Sequence, residues 1–140
     1  MVVFVPFDGS ALSKTALLHA SRASDLYGVD TLAFTVIPTG PKYARENGWV
    51  GRTEPFDRET IVSRLRECVA TLAPDATFEH AVVGEHSSAG TISSRLRRAA
   101  RQQDTSAIFI GSKKAGHTII GTTSVGGRVA FEDAYDIAII

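Results

Sequence analysis

Asp8, Gly9 and Ser10 follow directly on an apolar run, Val2-Val3-Phe4-Val5-Pro6-Phe7, and a helical pattern begins after them. A buried parallel strand reads as a near-continuous apolar run. Ligands of an open α/β sheet bind just beyond the carboxyl ends of its strands. An acid, a glycine and a hydroxyl at that place can hold a small molecule or act on it. A second set lies between Gly111 and Ser124, where Gly111, Gly116 and Gly121 are interleaved with Lys113, Lys114, Thr122, Thr123 and Ser124. Glycine lets backbone amides approach a phosphate closely. Free N–H groups at a helix N-terminus attract negative charge. The hydroxyls add donors and the lysines add charge, so the chemistry on offer is anion binding. The stretch is not a P-loop of the G-x4-G-K-[S/T] kind. The competing reading is an ordinary β–α turn with hydroxyl caps and its lysines in water.

Other reactive side chains carry less. His19, His80, His86 and His117 share no metal-ligand spacing, and no metal site is expected. His19 reads as helix packing, His80 as a strand-surface residue and His117 as solvated. Cys68 lies on an apolar helix stripe and reads as core. It has no partner cysteine and no local histidine, so thiol catalysis is not expected. Ser10 lacks a G-x-S-x-G setting. Arg95, Arg97, Arg98 and Arg101 cluster on one helix, which could meet nucleic acid or an acidic partner. A net charge of +0 favours a solvated face instead, and nucleic acid is not an expected partner. Trp49 could cover a ligand, meet a partner or simply anchor its loop.

The elements that position these residues follow from periodicity. The first helix shows apolar residues at Leu12, Ala16, Ala20, Ala23 and Tyr27 and closes at Gly28. Thr31 to Ile37 reads as a second strand stopped by Pro38. From Thr39 to Phe56 the pattern is lost, and a loop of that length is usually functional or disordered. Asp57 is an N-cap for a helix carrying Ile61, Leu65, Cys68, Val69 and Leu72. Thr77 to Val83 is a third strand, nearer an edge. Ile92, Leu96, Ala99 and Ala100 mark the next helix, and Ser106 to Ile110 the fourth strand. A last helix is expected over roughly Val125 to Ala134, then a fifth strand, Ile137 to Ile140. Strands alternating with helices predict a doubly wound α/β fold with a parallel five-stranded sheet. Strand order 3-2-1-4-5 puts strands 1 and 4 side by side, with a crevice at Asp8-Gly9-Ser10 and Gly111-Ser112.

A length of 140 residues suits one domain, 1–140, with one core. The 44% hydrophobic and 21% charged content is that of a globular protein. No apolar run approaches the ~18 residues of a membrane span. The N-terminal apolar run has no basic region before it, so no signal peptide is expected. The single Cys68 forbids an intrachain disulfide and fits a reducing compartment, so the expected location is cytoplasmic.

With these elements in place, the chain resembles the universal stress protein family over nearly its full length. Val5-Pro6-Phe7-Asp8-Gly9-Ser10 is similar to the family's opening V-P-x-D-G-S. Ser13, Ala16, Leu17, His19 and Ala20 suit its first helix and Tyr27-Gly28 that helix's end. Val83-Gly84 with Ala89 and Ile92 suits the start of the next-to-last helix, and Ile108 to Ser112 suits the fourth strand and turn. The resemblance implies a Rossmann-like domain of the adenine nucleotide alpha hydrolase type. It also implies a homodimer joined through the C-terminal strand, a role in stress responses and, in one branch, ATP with Mg²⁺ in the crevice.

By position, the resemblance places Asp8 and Val36 beside the adenosine and Gly111 at the first glycine of the phosphate loop, while Lys113, Gly116, Gly121, Thr122 and Ser124 are expected around the phosphates from their own chemistry. The family loop G-x2-G-x9-G-[S/T] is not matched in full: Lys114 stands at its second glycine, and Gly116 comes two residues late. Asp8 has two compatible uses, orienting a ribose, adenine or nucleotide-bound metal, and accepting N–H bonds from its own turn. The expected function is a homodimeric regulator or nucleotide-binding module rather than a fast enzyme. The alternatives are a ligand-free interaction protein and a slow ATPase or nucleotidyl transferase on the same fold.

Overall fold

The computed structural model describes residues 1–111 and 136–139. Its elements are β1 (Val2–Pro6), α1 (Ala11–Tyr27), β2 (Asp30–Pro38), α2 (Pro41–Glu46), α3 (Arg58–Leu72), β3 (Thr77–Val83), α4 (Ala89–Gln102), β4 (Thr105–Ile110) and β5 (Asp136–Ile139). The first four strands lie in the order β3-β2-β1-β4, all parallel, which makes this an α/β fold. The backbone of β5 runs parallel beside β4, with Ala107 opposite Asp136 and Ile110 opposite Ile139. The helix expected at Val125 to Ala134 lies outside the described residues.

Alternation along the strands builds two apolar layers. Val3 and Val5 of β1, and Phe7 just after it, point to one face, where Ala16, Leu17, Ile61, Leu65 and Val69 of α1 and α3 cover them. Phe4 points to the other, with Phe34, Val36 and Ile108, under Ile92, Leu96 and Ala99 of α4. The helices start and stop where their caps are. Ser10 Oγ accepts the Ser13 N–H at 3.2 Å, and the Gly28 N–H donates to Ser24 O at 2.8 Å. Asp57 caps α3 by accepting the Glu59 N–H at 3.2 Å.

Four sequence expectations need correction. The buried stripe of α1 is Ser13, Ala16, Leu17, Ala20 and Ser24, whereas Leu12 and Tyr27 are exposed. The two serines are tolerated inside because Ser13 Oγ donates to Ser10 O and Ser24 Oγ bonds Thr31 Oγ1. His19 is exposed rather than packed. Cys68 is half-buried at the margin of the core. The stretch Thr39 to Phe56 is not patternless: it holds α2, started by Pro41, whose fixed φ suits a first helical position. Six residues are too few to show a helical period.

Candidate functional site

A glycine turn and two hydrogen bonds build the chain just after β1. Gly9 has φ +79°, a left-handed turn that glycine adopts without strain. That turn brings the Ser10 N–H to Asp8 Oδ1 at 2.9 Å. Thr35 Oγ1, buried on β2, donates to Phe7 O at 2.6 Å and ties the neighbouring strand end to it. Asp8 therefore serves its own turn through one carboxylate oxygen. Among the described residues its Oδ2 has no hydrogen-bond partner.

Asp8 and Val36, the two adenosine-side residues expected from sequence, line one crevice. Phe34 and Thr35 form its floor with Val36, Ile92 and Leu96 of α4 form one wall, and Tyr43 and Trp49 close it from above. Its cavity is about 40 Å³, room for a few waters rather than a nucleobase. Gly111 directly follows β4, the strand that neighbours β1. A Cβ there would collide with Leu12 O and come within 2.8 Å of Ala16 Cβ, so Gly111 is what lets β4 end against the first turn of α1. Lys113, Gly116, Gly121, Thr122 and Ser124, with Lys114 and His117, lie outside the described residues.

Trp49 is the residue whose role the sequence left open. It is 7% exposed, and its Nε1 donates to the Asp8 carbonyl at 2.8 Å. Its ring packs on Tyr43, centroids 5.5 Å apart. It is thus both an anchor and a wall of the crevice. On its other side lies a second cavity of about 170 Å³, bordered by Asp8, Lys14, Trp49, Arg64 and Cys68. No signal in residues 39–56 alone could show this, because the hydrogen bond spans 41 positions.

A clasp on α3 holds the segment down. Arg64 Nη1 donates to Trp49 O at 2.9 Å, and the guanidinium meets Glu54 through two bonds of 3.0 and 2.7 Å. The Arg64 bonds, helped by the Gly51 amide, hold the Glu54 carboxyl down at about 2, below its ordinary 4.5. A carboxyl lowered on folding contributes stability above its unfolded value and loses it as pH falls. The melting temperature should therefore drop between about pH 4.5 and pH 2 more steeply in the unmutated protein than in Glu54→Gln. Parallel melting curves over that window would show that the clasp holds nothing.

Among the described residues no cluster of three or more His, Cys, Asp or Glu side chains could hold a metal ion. No helix there is long and apolar enough to cross a membrane.

A parallel α/β sheet with an acid-glycine-serine turn at the end of its first strand and a crevice above it defines the class. The family model described as the Universal stress protein family matches residues 1–129, and the chain belongs to that family. Solved structures agree on the fold. A universal stress protein from Burkholderia pseudomallei superposes with a TM-score of 0.55 at 17% identity, covering 99% of this chain and 94% of its own. One from Archaeoglobus fulgidus, in complex with dAMP, gives 0.54 at 14% identity, covering 99% and 95%. A universal stress protein in complex with cAMP gives 0.52 at 14%, covering 100% and 96%. Comparison with curated protein sequences finds no match.

Proposed function

We propose that this protein is a homodimeric stress-response regulator that binds an adenine nucleotide in the crevice between the ends of β1 and β4. The observation that carries the reading is that Asp8 and Val36 meet in one crevice, with an Asp8 oxygen unengaged among the described residues. Two structures of similar fold are complexes with adenine nucleotides. In this reading the base lies against Val36, Phe34, Ile92 and Leu96, and Asp8 Oδ2 takes a ribose hydroxyl. Tyr43 and Trp49 lift to admit it, since the closed cavity is too small. The loop with Gly111, Lys113, Gly116, Gly121, Thr122 and Ser124 takes the phosphates of ATP, with Mg²⁺. The chain acts as one domain, 1–140, with β5 as the fifth strand of the sheet. The apolar stretch Ile137 to Ile140 supports dimerisation, because an uncovered strand edge invites pairing. The lone Cys68 supports a reducing, cytoplasmic location.

Calorimetry with ATP and Mg²⁺ tests the reading. Asp8→Ala should weaken binding by about 1.5–3 kcal/mol, more than tenfold, with the fold intact. No heat of binding from the unmutated protein would reject the nucleotide. It would favour the second reading, a ligand-free interaction protein whose crevice is permanently filled by Trp49.

A further inference from the structure

The helix α4 carries Arg95, Arg97, Arg98 and Arg101 and no acidic residue between Ala89 and Gln102. Above its first two turns lies a groove of about 490 Å³, lined among others by Ser88, Thr91, Ser94, Arg95 and Arg98. Among the described residues neither Arg95 nor Arg98 forms an ion pair. Arg95 lies over the Phe34 ring, its Cζ 5.6 Å from the centroid, and its Nη1 is buried with no hydrogen-bond partner among the described residues. That nitrogen is closed off from the groove, but Arg95 lines the groove beside Arg98, and charge-assisted bonds from a guanidinium to an anion are strong.

We propose that this groove is a phosphate site, separate from the loop after β4. The guanidinium fork matches phosphate oxygens, and two forks beside three hydroxyls offer more donors than a carboxylate can use. The Phe34 ring under Arg95 also lines the crevice, so among the described residues the two cavities are linked only through this ring contact. The phosphate is either a free ion or the group of a phosphate monoester. The site does not depend on the crevice holding adenosine.

The test is a set of ¹⁵N–¹H spectra of the full chain titrated with inorganic phosphate, AMP and adenosine. Phosphate or AMP should shift the amides from Ser88 to Arg98 saturably. Arg95→Gln with Arg98→Gln should weaken that response more than tenfold, whereas Lys113→Ala with Lys114→Ala should not. Arg98 is exposed, so Arg98→Gln alone keeps the test valid where the double variant fails to fold. A response to inorganic phosphate identifies a free-ion site, and a response to AMP that adenosine does not reproduce identifies a monoester site. Unmoved groove amides with both ligands, or shifts that persist without the arginines, would overturn the proposal. Adenosine shifts at Asp8, Val36 and Trp49 report on the crevice separately, so either reading can fail alone.

Discussion

Replacing Trp49 with alanine should lower the unfolding free energy by about 3–5 kcal/mol, the range for truncating a buried large aromatic residue. The indole is 7% exposed and packs on Tyr43. It also separates cavities of about 40 and 170 Å³, which would merge on its removal. Its loss strips the Asp8 carbonyl of the Nε1 donor at 2.8 Å. Trp49→Phe separates the two effects. The apolar ring is largely kept, and the unpaired carbonyl alone should cost about 1–3 kcal/mol. Urea denaturation followed by far-UV circular dichroism reads both. A loss below about 1 kcal/mol for Trp49→Ala would mean that the segment over the crevice is not held by its tryptophan.

Gly111→Ala should destabilise by about 3 kcal/mol, at the upper end of what overpacking commonly costs. The added Cβ would sit on Leu12 O and 2.5 Å from Leu12 C. These are backbone atoms of α1, so no side chain can swing aside, and the helix itself must shift. That shift acts on Ser10 and Ser13, whose mutual bonds start α1, and through them on the Asp8 turn. The same urea experiment measures it. A neutral Gly111→Ala would show that α1 does not approach the end of β4 this closely.

These two residues also mark where the sequence was legible and where it was not. Strands announced themselves as apolar runs because both faces of the sheet are covered: Val3 and Val5 meet α1 and α3, and Phe4 meets α4. Asp57 and Gly28 declared helix ends because capping is local chemistry. That Asp8 and Val36 line one crevice was legible because each stands at the end of one of two neighbouring strands. The apolar stripe of α1 was misjudged at Leu12 and Tyr27, since short buried serines satisfied by local bonds carry no hydrophobic signal. Gly111 was readable as a glycine that something needed, but the same residue suits a phosphate or a helix backbone. Only the neighbour in space decides. Trp49 reaches the crevice through its bond to the Asp8 carbonyl and Tyr43 through its packing on Trp49, and neither the short α2 nor its flanks carry a period that would reveal them.

If the crevice beneath Trp49 is an adenine nucleotide site, the chain's single tryptophan is its own reporter of binding. The measurement is the indole N–H cross-peak of Trp49 in the unmutated protein, titrated with AMP. That N–H bonds the Asp8 carbonyl when the crevice is closed. Entry of the nucleotide should move the cross-peak saturably, together with the amides of Asp8 and Val36. A cross-peak and both amides unmoved at millimolar AMP would contradict the account.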